Sequence, residues 1–201
     1  MCKSKIGWFV SVILVSGAVS SAQAQECETW LSGDLHAQPL TFSGGVIMCA
    51  TEWTPPAPGS APLLVVGGSF TQIGGVQSQG VMAWDGASWR PLGNGVNGDV
   101  YGLAVYNGEL VAGGLFNQAS GVPAKNIARF NGSSWSPLGT GLDLAIGLTP
   151  YCDTLTVYNN ELYAAGIFWS AGGISARNVA RWNGQTWAPL GLPGSGLSMI
   201  A

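Results

Sequence analysis

One seven-residue phrase occurs three times in this chain, and it restricts the fold more than any other feature. Leu64-Val-Val-Gly-Gly-Ser-Phe70 returns as Leu110-Val-Ala-Gly-Gly-Leu-Phe116 and as Leu162-Tyr-Ala-Ala-Gly-Ile-Phe168. Each copy leads into an aromatic-Asp/Asn-Gly turn: Trp84-Asp85-Gly86, Phe130-Asn131-Gly132 and Trp182-Asn183-Gly184. A Trp-x-Pro-Leu-Gly phrase follows, starting at Trp89, Trp135 and Trp187, so that copies lie 46 and 52 residues apart. A period in that range, made of short β-rich runs and glycine turns, belongs to propeller blades.

The middle copy shows how one unit is built. Val100 to Tyr106 reads as a first strand, and Asn107-Gly108 is the strongest two-residue hairpin signal. Leu110 to Phe116 is a second strand, whose glycines let neighbouring sheets approach closely. Asn126 to Phe130 is a third, Asn131-Gly132 a further hairpin turn, and Ser134 to Leu138 a fourth. Pro91, Pro137 and Pro189 all fall two residues after the fourth-strand tryptophan. Proline cannot donate to a ladder and belongs at sheet edges, so the fourth strand is the outer edge of its blade. The connection from second to third strand is constant in length. The proline-rich stretch Thr54 to Pro62 and the extended linker Gly141 to Tyr151 are variable, and variable loops on a constant frame carry specificity. Glu109 and Arg129, like Glu161 and Arg181, are 20 residues apart, whereas the first copy has Leu63 and Ala83 there. The paired appearance of these charges predicts an ion pair between second and third strands.

The expected fold is therefore all-β: three complete four-stranded blades, about 46–92, 100–138 and 152–190, with partial strands at both ends of an incomplete ring. Glu28 to Gly33 resembles a degenerate fourth strand within an N-terminal segment spanning 25–45, and Gly196 to Ala201 looks like the start of another blade. Such an arc exposes the apolar flanks of its end blades, which predicts self-association through blade edges or a complementary chain.

Residues 1–24 read as an export leader. Lys3 and Lys5 precede an apolar run from Ile6 to Val19, and Ala22-Gln23-Ala24 is an A-x-A cleavage site. That run is too short to span a bilayer, and no later stretch is long and apolar enough, so a secreted product cut near Ala24 is expected. Beyond the leader, Arg90, Lys125, Arg129, Arg177 and Arg181 face ten acidic residues. An acidic chain without a basic cluster argues against nucleic acid and anionic membrane as partners. Cys27, Cys49 and Cys152 remain after cleavage, an odd number that leaves a free thiol, an intermolecular bond or a missing partner open.

Catalytic patterns are absent from the sequence. His36 is the single histidine and sits outside the repeats, which argues against both a Ser-His-Asp triad and a zinc site. No Gly-x-Ser-x-Gly elbow or calcium loop occurs, and no cofactor is expected. Asp99, Asp143 and Asp153 lie near inter-blade connections, where they could act as carboxylates or cation ligands, although turn formation is the more ordinary role of aspartate. Trp84, Trp89, Trp135, Trp182 and Trp187 recur at fixed positions, as core residues of a repeat must. Trp53 and Trp169 break the pattern. Trp169 opens a second-to-third-strand loop. With Asn117, Gln118, Lys125 and Arg177 in equivalent loops, it forms a candidate face for stacking a sugar or receiving a peptide.

The paired glycines, the aromatic-Asp/Asn-Gly turns and the Trp-x-Pro-Leu-Gly phrases together resemble kelch-type propeller repeats. They are similar to the kelch-like repeats of secreted bacterial proteins and of the fungal cortical cell-polarity marker. The resemblance covers about residues 46 to 201. It implies a propeller fold shared by protein-binding scaffolds and a copper oxidase, whose tyrosine, cysteine and histidine ligands have no matching set here. The expected function is a secreted, noncatalytic scaffold binding protein or carbohydrate, part of a longer propeller. The alternative is a fragment of a propeller-class lyase, glycosidase or oxidase whose active site lies in missing blades.

Overall fold

The computed structural model describes residues 42–43, 45–144 and 148–190. The expected leader, Cys27, the strand-like segment at 28–33, His36 and the opening strand at 196–201 lie outside the described residues. Every regular element described is a strand. Three four-stranded antiparallel sheets carry the three copies, each with its strands in simple sequential order. Blade one comprises Ile47–Trp53, Leu63–Gly68, Val81–Trp84 and Trp89–Pro91. Blade two comprises Asp99–Tyr106, Glu109–Leu115, Ile127–Phe130 and Trp135–Pro137. Blade three comprises Tyr151–Tyr158, Glu161–Ile167, Val179–Trp182 and Trp187–Pro189. The first strand of blade two packs between those of blades one and three, so the sheets form an arc. The protein is a β-propeller-type repeat protein.

Turn chemistry explains the strand ends. Tyr106 pairs with Glu109 across Asn107 (φ 50°) and Gly108 (φ 79°), two positive φ values that match the right-handed twist of a hairpin. The connection from third to fourth strand differs from the tight turn expected. Phe130 pairs with Trp135, leaving a four-residue loop in which Asn131 Oδ1 accepts the N–H groups of Ser133 and Ser134 at 2.9 Å. Asp85 and Asn183 do the same in their own blades. A short side-chain acceptor, more than the glycine, therefore defines this turn. The constant second-to-third connection also holds structure that its length alone did not announce. It folds into a small hairpin: Gln72–Ile73 with Val76–Gln77, Gln118–Ala119 with Val122–Pro123, and Ser170–Ala171 with Ile174–Ser175.

Each inter-blade linker is stitched to both neighbours. Val96 N–H donates to the Gln79 carbonyl of blade one at 2.8 Å, while Asn97 N–H donates to the Gln118 carbonyl of blade two at 3.0 Å. One repeat later, Leu142 N–H donates to the Lys125 carbonyl at 3.0 Å, and the Asp143 carbonyl accepts Trp169 N–H at 2.8 Å.

Between blades the packing is close. A Cβ on Gly67 would lie 2.6 Å from a methyl of Val100, and one on Gly113 would lie 2.6 Å from Cys152 Sγ. Hydrogen at these positions is what allows the sheets to meet. Buried Trp135 and Trp187 donate their indole N–H groups to the carbonyls of Leu92 (2.7 Å) and Leu138 (3.1 Å), the ends of the preceding blades. Fixed tryptophan positions thus serve inter-blade packing in blades two and three; each fully buried large apolar side chain contributes about 1.5–3 kcal/mol. Trp53, which departs from the repeat, has the same kind of role. It is buried, meets Phe130 edge-on at 5.8 Å and donates to the Gly108 carbonyl at 2.9 Å. The anticipated charge pairs form as well: Arg129 to Glu109 at 3.2 Å and Arg181 to Glu161 at 3.0 Å.

Candidate functional site

The stitched linker between blades two and three shapes a groove on the face that carries the linkers and small hairpins. Its outer half is walled by Asn97, Phe116, Asn117, Lys125, Asn126 and Asp143. Leu115 and Thr149 are shared with an inner half completed by Tyr101, Tyr151 and Asp153. At Leu142 and Asp143 the linker is bonded to blade two and to blade three respectively, beside this groove. The proline-rich stretch Thr54 to Pro62 lies elsewhere. It joins first and second strands, and Pro56 sits over Gly132 in the third-to-fourth loop of blade two.

Polar groups in the outer half are largely committed to holding backbone. Asn97 Oδ1 accepts the N–H groups of Asn117 (3.0 Å) and Gln118 (2.8 Å), and its Nδ2 donates to Asn117 Oδ1 at 2.7 Å. Buried Asn126, at φ 64°, donates Nδ2–H to the Leu142 carbonyl at 3.2 Å. Asp143 accepts the Lys125 ammonium on one oxygen and Leu144 N–H on the other, and the Lys125 bond first of all lowers its pKa. Lys125 and Asp143 are both exposed enough to exchange partners, so the outer half offers an adjustable charge pair on a fixed amide frame.

The inner half is aromatic and acidic. Tyr101 and Tyr151 stand edge to face with ring centres 5.9 Å apart and planes at 89°. Tyr101 Oη–H donates to Asp99 Oδ2 at 3.3 Å. Desolvation and then the charge of Asp99 push the Tyr101 hydroxyl up from its ordinary pKa, with Asp153 and Tyr151 adding to the effect. A bulge places the central residues here. In each blade the register of the first strand slips once, between Ile47 and Cys49, Val100 and Gly102, and Cys152 and Thr154. The extra residues are Met48, Tyr101 and Asp153, and bulges re-aim side chains in this way.

Of the five residues expected on the ligand face, Asn117 and Lys125 line the groove together. Gln118 is exposed on the small hairpin of blade two. Trp169 and Arg177 hold each other, the guanidinium lying 5.0 Å from the ring centre, and they adjoin Asp143 through the Trp169 N–H bond. Tyr101, Tyr151, Asn97 and Thr149 were not singled out beforehand. The linker position shared by Asn97 and Asp143 could have signalled part of this set, since both sit at one repeat offset. Asp99 and Asp153, read as turn formers, stand at the starts of first strands beside the tyrosines.

No group of three or more histidine, cysteine or carboxylate side chains able to hold a metal occurs among the described residues. Among the described residues Cys49 and Cys152 have no disulfide partner, and each thiol is pushed up to about 12 by burial. No helix among the described residues is long and apolar enough to cross a membrane.

Comparison with known families agrees with this architecture. Residues 107–136, from the hairpin turn of blade two to its fourth strand, match a family model described as a domain of unknown function (DUF5122) beta-propeller. No curated protein matches the chain.

Proposed function

We propose that this chain is a secreted, noncatalytic, kelch-like propeller scaffold that binds an extended segment of a partner protein in the groove between blades two and three. The observation that carries the reading is the groove's make-up. A short apolar floor (Leu115, Phe116) runs between hydrogen-bonding side chains at one end and tyrosines at the other. Few convergent polar groups around an apolar floor suit a ligand held by shape and orientation. The export leader read from residues 1–24 supports secretion, and because propellers of many functions share the fold, the binding reading rests on the groove alone.

The test is selection of displayed random peptides, alongside an array of immobilised glycans, against the purified chain and a Leu115→Ser variant. Enriched peptides that lose affinity for Leu115→Ser support the reading. Glycans alone binding, or peptides indifferent to Leu115→Ser, would overturn it.

A further inference from the structure

We propose that the inner end of this groove is a socket for a lysine ammonium, so that the partner segment is recognised through a cationic side chain. The inference rests on the groove being a protein-binding site and adds the chemistry of its anchor. Two observations meet at the same place. First, Tyr101 and Tyr151 stand at 89° to one another, forming two walls of an open corner whose ring centres are 5.9 Å apart. A cation within about 6 Å of an aromatic ring centre is attracted by the ring quadrupole. Second, the corner carries unneutralised negative charge. Asp85, Glu109, Asp143 and Glu161 each pair with an arginine or lysine. Asp99 and Asp153 have no ion-pair partner among the described residues, yet Asp99 bonds Tyr101 and Asp153 lines the corner. Lys125, the one cation in the groove lining among the described residues, is occupied by Asp143 in the outer half.

The remaining walls select the kind of cation. Thr149 and Asp153 supply oxygen acceptors beside the tyrosines, which a primary ammonium with three N–H donors can use and a quaternary one cannot. Leu115 continues from the corner into the outer half and gives the four-carbon stem of a lysine an apolar path.

The decisive experiment titrates the full chain with N-acetyl-lysine-N-methylamide and with its norleucine counterpart, following the Tyr101 and Tyr151 ring resonances by NMR. The lysine probe should give saturable shifts that the norleucine probe does not, and added salt should weaken them. Asp153→Asn and Tyr151→Leu should each reduce affinity roughly fivefold, the scale of a partly exposed cation–π or ion-pair contact. Because Asp153 is exposed, Asp153→Asn keeps the fold and keeps the test meaningful. Equal binding of the norleucine probe would overturn the socket while leaving the groove as a peptide site. Lysine binding indifferent to Asp153→Asn, or no shift at the two tyrosines, would overturn the socket as well.

Discussion

Gly113 tests whether the absence of a side chain is what lets neighbouring blades meet. An alanine there would set its methyl 2.6 Å from Cys152 Sγ, 3.0 Å from Cys152 Cβ and 3.3 Å from Leu155 Cδ1, all on the next blade. Carbon atoms in contact prefer about 3.5–4.0 Å, so the two sheets must separate or a buried side chain must leave its rotamer. Overpacking of this kind costs about 1–3 kcal/mol. Replacing glycine in a strand recovers about 0.5–1 kcal/mol of chain entropy, leaving a net loss of about 0–2.5 kcal/mol for Gly113→Ala. For a chain of this size each kcal/mol lowers Tm by about 2–4 °C. The repeat contains its own control. Blade three has Ala165 at this position, half-buried on a face that no described blade covers, and Ala165→Gly should cost only the entropic 0.5–1 kcal/mol. Urea unfolding followed by tryptophan fluorescence would measure both. Adding Cys152→Ala removes the nearest atom, so the double variant should be about 1 kcal/mol more stable than the single losses predict together. A Gly113→Ala protein as stable as wild type, with strictly additive doubles, would refute close sheet contact as the reason for this glycine.

The other expectations are smaller and equally direct. Tyr106 Oη is buried without a hydrogen-bond partner among the described residues, so Tyr106→Phe should leave urea stability unchanged or slightly raised; a loss beyond about 1 kcal/mol would show that the hydroxyl is bonded after all. The half-exposed Arg129–Glu109 pair should give a double-mutant coupling of about 0.2–1 kcal/mol that fades in 1 M salt, and zero coupling at low salt would exclude it. Asp85 is held down to a pKa of about 2, first by the backbone N–H of Ser88, then by that of Ala87, with Arg90 contributing less. Its contribution to stability is therefore complete above the unfolded value of about 3.9 and lost as pH falls through about 2. An NMR titration of the Asp85 carboxyl with a midpoint near 4 would contradict that hydrogen-bonding pattern.

The repeat made most of the fold legible. Periodic glycines, Asn-Gly turns and edge prolines act within a few residues, so blade strands, their order and the charge pairs on neighbouring strands could be read locally. The four-residue Asn131 loop escaped because the same Asn-Gly dipeptide serves a tight hairpin at Asn107 and a side-chain-capped loop here. The hairpins within the second-to-third connections escaped because their strands are only two residues long. Trp53 looked exceptional as a letter and proved ordinary as a contact, since large aromatics end the first strand in all three blades: Trp53, Tyr106 and Tyr158.

The groove belongs to another level of organisation. Asn117 and Lys125 could be nominated because loops of a propeller face one way, but Tyr101, Tyr151 and Asp153 sit in strands, where alternation ordinarily assigns side chains to packing. A bulge of one residue turns Tyr101 and Asp153 out of that alternation, and the next blade brings Tyr151 beside Tyr101. Sequence alone therefore determined what each blade is, because blade geometry is set by short-range turns and periodicity. The tertiary structure decided where the molecule offers a ligand a place to sit, because that place is made by two blades, a linker pinned between them and a slip in register that no single segment announces.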